Sequence, residues 1–163
     1  MRREAFLSFA RFVAIMLPFG LLVGALVSQY VGGLFPCEMC MWQRWPHLLA
    51  IAAAMAAIGL RRNPFGSGVF TLLAALFIAT SGLIGVYHAG VEYGLWEGVT
   101  TCSTMARPTP GQSMLDSIME ARLVRCDVAP WSLFGISLAG YNALFSLGGA
   151  LLIFALLRKW SRS

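Results

Sequence analysis

The chain has 163 residues, 58% of them hydrophobic and only 12% charged, with a mean hydropathy of +0.73. A soluble domain is about 25% charged, so this composition excludes an ordinary soluble protein, and the length leaves room for one membrane domain over 1–163 with loops but no added soluble domain. The formal charge of +5 sits in short clusters beside apolar stretches, which argues against nucleic acid as a partner, because that would need a basic tract interleaved with aromatics.

The first apolar stretch, Phe12 to Val31, is about 20 residues and about 30 Å as a helix, enough to cross the hydrocarbon core. It exceeds the h-region of a cleaved signal peptide, and no A-x-A site follows it, so retention is expected. The second, Trp45 to Leu60, is shorter and Ala-rich, with Trp42 and Trp45 as interfacial anchors. Arg61, Arg62, Asn63 and Pro64 form a polar turn. Val69 to His88 makes a third span and Leu133 to Leu157 a fourth. The expected fold is therefore all-α: a four-helix transmembrane bundle with two loops on one face.

Eight basic residues (Arg2, Arg3, Arg11, Arg61, Arg62, Arg158, Lys159, Arg162) fall on one side, close to span ends; four (Arg44, Arg107, Arg122, Arg125) fall on the other. The positive-inside rule then puts both termini in the cytoplasm and all four cysteines outside. In a bacterium that outside is the oxidising periplasm, where disulfides persist.

Cys37 and Cys40 form a C-x-x-C in the first outer loop, and Cys102 and Cys126 lie in the second. This spacing closes a small disulfide ring and lowers the attacking thiol's pKa, as oxidoreductases require. A purely structural bond across three residues would restrict little chain entropy. Structural zinc favours two closely spaced pairs, whereas Cys102 and Cys126 are 24 positions apart. Covalent haem needs C-x-x-C-H, and Met41 follows Cys40; non-covalent haem on His47 and His88 is an alternative, although a lone histidine at a helix end is usually structural. Electrons collected from thiols at a bilayer need a lipid-soluble two-electron acceptor, and a quinone fits. Arg44, four residues after Cys40, shares a helical face with it. Its guanidinium can favour a Cys40 thiolate and meet a quinone oxygen, or simply snorkel to headgroups.

The second loop opens with Thr104 to Gln112, containing Pro108, Pro110 and Gly111, a poor start for rigid structure. Ser113-Met114-Leu115-Asp116 then reads as a capping box. It opens a short amphipathic helix with Met114, Leu115, Ile118, Met119 and Leu123 mainly on one side, expected to lie on the membrane surface or to pack on the bundle.

The segments Pro36-Cys37-Glu38-Met39-Cys40-Met41-Trp42-Gln43-Arg44, Tyr87-His88-Ala89-Gly90-Val91-Glu92, Cys102, and Cys126-Asp127 followed by Trp131-Ser132-Leu133-Phe134-Gly135-Ile136-Ser137 together resemble the DsbB/DsbI family of disulfide bond formation proteins over nearly the whole chain. The resemblance implies a protein thiol:quinone oxidoreductase of the bacterial inner membrane, with ubiquinone or menaquinone as cofactor and a periplasmic DsbA-like thioredoxin-fold protein as partner. It implies that Cys102 forms the mixed disulfide with that partner, that Cys126 exchanges with Cys37, and that Cys40 is the thiolate beside the quinone. It further implies a quinone site with Arg44 and His88; Trp42 is added from its place near the outer end. Glu92 is counted with the quinone site as well, although it stands where another family member has glutamine. A DsbA-type partner is strongly oxidising, about −120 mV, so electron removal by quinone must pull the exchange forward. The alternatives are a quinone reductase of the vitamin K epoxide reductase type and a haem-binding membrane subunit.

Overall fold

The computed structural model describes residues 2–98 and 125–162. Cys102, the proline-containing segment 104–112 and the expected surface helix at 113–123 lie outside the described residues. Four long helices dominate the rest: α1 (Arg2–Tyr30), α2 (Glu38–Gly59), α3 (Pro64–Glu92) and α4 (Leu138–Arg162), with a two-stranded hairpin, β1 (Ser132–Leu133) and β2 (Ile136–Ser137), immediately before α4.

Three of these helices, over Glu4–Tyr30, Pro64–Glu92 and Leu138–Arg162, are long and apolar enough to cross a membrane. The fourth, α2, has the shortest apolar stretch because its first turns carry Glu38, Gln43, Arg44 and His47. Many large apolar side chains face outward, including Phe12, Phe19, Leu49, Leu83 and Leu151. That pattern suits lipid and would be costly in water. The interior is built from small residues: Ala10 and Ala14 of α1, Ala50, Ala53 and Ala54 of α2, Ala74 and Ala75 of α3, and Ala150 of α4 surround Ile78 and Ile153. Small side chains let helix backbones approach, which is how helices associate where lipid is as apolar as leucine. At Gly85 a Cβ would lie 3.0 Å from the Ala139 carbonyl oxygen and 3.1 Å from the Ala143 nitrogen, so α3 and α4 meet there backbone to backbone.

Two boundaries differ from the sequence expectation. The helix α1 begins about ten residues before Phe12, since a helix continues past the bilayer edge wherever its residues allow. The expected fourth span from Leu133 is corrected at its start, because Leu133 to Ser137 form the hairpin and the helix opens at Leu138. The reason is local: Phe134 and Gly135 both have positive φ, 50° and 77°, the conformation of a two-residue hairpin turn whose twist suits the flanking strands. Tyr93 clamps this turn to the end of α3, its hydroxyl donating to the Gly135 carbonyl at 3.1 Å and accepting from the Ser137 N–H at 3.0 Å.

Candidate functional site

The start of α2, the end of α3 and the start of α4 converge at one end of the bundle. Cys37 is the N-cap of α2, with extended backbone, and its sulfur accepts the Cys40 backbone N–H at 3.2 Å. One helical turn therefore brings the two thiols together: they are free, with sulfurs 2.9 Å apart, the Cys37 thiol donating to Cys40. Both precede the apolar stretch of α2. That thiol hydrogen bond is the main reason the Cys40 thiol falls below the ordinary thiol value, with Arg44 a smaller contributor, while burial and Glu92 oppose. The same bond, with burial, pushes Cys37 up. Cys40 is accordingly the sulfur prepared to carry negative charge.

Cys126 is buried in one cluster with Cys37, Met39 and Val91, against Cys40 and Tyr87. The two loops at this end thus place one cysteine of each pair in common surroundings. An exposed pair, Arg125 with Asp127, brackets Cys126.

Behind Cys37 stands His88. Its Nε2 lies 3.5 Å from the Cys37 sulfur and 3.7 Å from Glu92 Oε1, and both side chains of this histidine and carboxylate are 1% exposed. The donor atoms of Cys37, Cys40 and His88 lie within 4.8 Å of one another, a set able to hold a thiophilic ion in the dithiol state. On its other side His88 is tied into a polar chain. The Gln43 amide nitrogen reaches His88 Nδ1 at 2.8 Å and the Met39 carbonyl at 3.2 Å. The Asn142 amide nitrogen donates to Gln43 Oε1 at 2.7 Å, and Asn142 Oδ1 faces His47 Nε2 at 2.9 Å. The Ser81 hydroxyl lies 2.9 Å from the same His47 nitrogen and donates to the Gln43 carbonyl at 2.8 Å. Pro46 lacks the N–H that would meet the Trp42 carbonyl in the α2 ladder, and Ser81 gives the adjoining Gln43 carbonyl a side-chain donor.

A cavity of about 250 Å³ opens on the opposite side of Cys40, between α1, α2 and α4. Cys40, Gln43, Arg44 and His47 line it as one helical stripe, facing Gly24 and Ala25 of α1 and Tyr141, Asn142 and Phe145 of α4. The Arg44 guanidinium is steered by α1, donating to Gln29 Oε1 at 2.6 Å and approaching the Ala25 carbonyl at 3.5 Å. Neither partner is anionic, so its positive charge is not neutralised by them. An apolar chamber with a thiol prepared for ionisation and a guanidinium fits the head of a quinone: one flat ring with oxygens that accept hydrogen bonds.

Of the residues singled out from the sequence, Cys40 and Arg44 line this cavity; His88, facing the Cys37 sulfur, and Glu92 beside it are not in its lining, nor is Trp42, 41% exposed. Sequence reasoning did not single out Gln43, Ser81 or Asn142 as site residues. Their signal was available, since polar side chains within apolar spans tend to be paired and functional.

Comparison with known proteins gives the family. Residues 8–156 match the family described as disulfide bond formation protein DsbB. The chain belongs to the DsbB family. Relatives include a disulfide bond formation protein B of Chromohalobacter salexigens, 36% identical over 78% of this chain and 66% of the relative, and one of Verminephrobacter eiseniae, 31% identical over 85% and 79%. An uncharacterised protein of Rickettsia prowazekii is 28% identical over 80% of this chain and 74% of that one. No solved structure matches. Membership of the DsbB family makes the chain a disulfide bond formation protein, and the adjacent thiols are the chemistry such a protein needs.

Proposed function

We propose that this chain reoxidises a periplasmic DsbA-like thioredoxin-fold protein and passes the two electrons to a membrane quinone, ubiquinone or menaquinone. The observation that carries the reading is the position of Cys40, which touches its partner thiol Cys37 on one side and forms the wall of an apolar, arginine-bearing cavity on the other.

In this scheme the partner's dithiol reduces a Cys102–Cys126 disulfide, with Cys102 forming the mixed disulfide, as the family resemblance implies. The Cys126 thiolate then attacks the Cys37 sulfur of the Cys37–Cys40 disulfide. A Cys37–Cys126 bond forms, and Cys40 leaves as thiolate. Burial of Cys126 beside Cys37 supports that exchange, and the Arg44 charge, which lowers the Cys40 pKa, favours its departure. The Cys102 thiolate then attacks Cys126, re-forming the Cys102–Cys126 bond and releasing Cys37, and a quinone bound in the cavity would supply the sink for the two electrons and two protons given up as Cys37–Cys40 re-forms. The chain's own part there is to hold a guanidinium, Arg44, where negative charge develops and to keep water away with apolar walls. His88 and Glu92 serve the sulfur side of the site, His88 Nε2 facing Cys37. Trp42 acts as an interfacial anchor.

The single domain spans the bilayer four times over about 12–31, 45–60, 69–88 and 138–157, with both termini cytoplasmic and the cysteines periplasmic. The eight-to-four division of Lys and Arg supports this orientation.

The test is oxidation of a reduced DsbA-like protein by the purified chain with a ubiquinone or menaquinone analogue, following partner thiols and quinol together. Stoichiometric quinol formation that disappears in Cys40→Ser is the expected result. Failure of the wild type to oxidise the partner with either quinone would overturn the proposal.

A further inference from the structure

The hairpin before α4 carries its most exposed side chain where the backbone tolerates it least. Phe134 has φ 50°, in the left-handed region that glycine and asparagine favour and that a phenylalanine enters at a cost. It is 91% exposed, more than any other large apolar residue among those described. The turn is nonetheless held firmly. Tyr93 bonds Gly135 and Ser137, and the Tyr141 hydroxyl donates to the Leu133 carbonyl at 3.1 Å. Two tyrosines, one at the end of α3 and one in α4, thus fix the strained turn from both strands.

Depth, charge and continuity point to what covers this tip. Between Leu138 and Arg158 α4 carries no charged residue, and that stretch of about 20 residues is about 30 Å of helix, the thickness of a hydrocarbon core. The hairpin, which ends at Ser137, therefore stands at the level of the headgroups. No Asp, Glu, Lys or Arg occurs from Val128 to Leu157, whereas the turn at the other end of the bundle carries Arg61 and Arg62. Trp131 packs on Tyr141 with ring centroids 6.3 Å apart, and Tyr141 on Phe145 at 6.2 Å. These rings run from the hairpin to the exposed apolar face of α4, where Leu144 and Leu151 stand, and tryptophan and tyrosine concentrate where a membrane meets water. We infer that the hairpin 132–137 is an anchor in the headgroup layer on the cysteine side of the membrane, with Phe134 as its wedge into the bilayer. Burial of the ring in lipid offsets the strain of the turn, and the anchor ties down the chain that leads from Cys126 to α4. It stands independently of the reading of the cavity as a quinone site.

The experiment replaces Phe134, Leu144 and Arg62, one at a time, by p-acetylphenylalanine in the full-length chain, held in nanodiscs of phosphatidylcholine and phosphatidylglycerol. The ketone takes a hydroxylamine nitroxide and leaves the four cysteines untouched. Power-saturation EPR then compares collisions with oxygen, which concentrates in lipid, and with a water-soluble nickel chelate. The ratio of oxygen to nickel accessibility at position 134 is expected to be several-fold above that at 62, in the polar turn, and to approach that at 144, on the exposed face of α4. A ratio at 134 no higher than at 62 overturns the inference. So does a nickel-accessible label at 134 that becomes shielded only when a DsbA-like protein is added, which would make the tip a protein-docking surface. The second measurement moves the label to Leu133 and compares Phe134→Asn with the unchanged tip. Asparagine suits a positive φ, so the turn is kept and only the wedge is lost. The ratio at 133 should fall several-fold, and an unchanged ratio overturns the role of Phe134.

Discussion

The two ends of the bundle use polar groups in opposite ways. At the end holding the α2–α3 turn, polar side chains close short, separate circuits. The Asn63 side chain caps α3 by accepting the Gly66 N–H at 3.1 Å. Ser67 accepts from Arg11 at 3.1 Å and donates to the Ala57 carbonyl at 2.8 Å, joining three helices at one point, and Lys159 lies over the Phe6 ring at 5.9 Å. At the cysteine end the polar groups form one connected chain, from Cys37 through His88, Gln43 and Asn142 to His47. It leaves two buried atoms, Glu92 Oε2 and His47 Nδ1, without a hydrogen-bond partner among the described residues. Satisfied groups hold helices together; unsatisfied buried groups persist where a reaction or a ligand uses them.

The largest expected effect comes from removing the donor at the head of the connected chain. Cys37→Ala should abolish partner oxidation completely and also return the Cys40 thiol toward its ordinary value, because the hydrogen bond that lowers it is lost. A lowered thiol pKa means thiolate persists to lower pH. The alkylation rate of reduced Cys40, read at that residue by mass spectrometry and profiled against pH in a background lacking Cys102 and Cys126 but with Cys37 free, should therefore titrate at lower pH than in Cys37→Ala. Coincident profiles would sink the account of Cys40. Next, Gln43→Leu leaves His88 Nδ1 and the Asn142 amide without their partner. A loss of about 1–3 kcal/mol per orphaned group predicts a marked fall of the melting temperature in detergent, and a normal melt would show that the chain is not a connected unit. Gly85→Leu forces apart the backbones of α3 and α4 that Gly85 lets meet. It should cost about 1–3 kcal/mol by overpacking, read from the same melts. The smallest effect is expected at the other end: Asn63→Ala removes one cap, about 1 kcal/mol, and quinol formation per folded molecule should stay at the wild-type rate. A loss of turnover there would erase the contrast between the two ends.

Much of the cysteine end was legible in one dimension. The helical stripe Cys40, Gln43, Arg44, His47 follows from spacing alone, and the same spacing puts Trp42 off that stripe, where the structure has it. Arg44 was legible because a charge near a span is rare. The pairing of Gln43 with Asn142 was not, because it joins residues 99 positions apart and depends on how far α4 is rotated about its axis, which Gly85 and the surrounding alanines allow but do not announce. The hairpin before α4 was also missed, since its turn is set by two positive φ angles within an apolar run that reads equally well as helix.

Sequence by itself determined that the chain is apolar enough to be built from membrane-length helices, that one polar turn separates α2 from α3, that a C-x-x-C opens α2, and which family the order of motifs resembles. Those properties depend on composition and on spacing within one helix, where geometry is fixed by 3.6 residues per turn. Tertiary structure alone decided that His88 stands behind Cys37, that Cys126 is buried beside it, that the cavity lies on the α1 and α4 side of Cys40, and that Gln43 joins His88 to Asn142. Those facts depend on helix rotation and depth, which arise from close packing of small residues and are written in no local stretch of the chain.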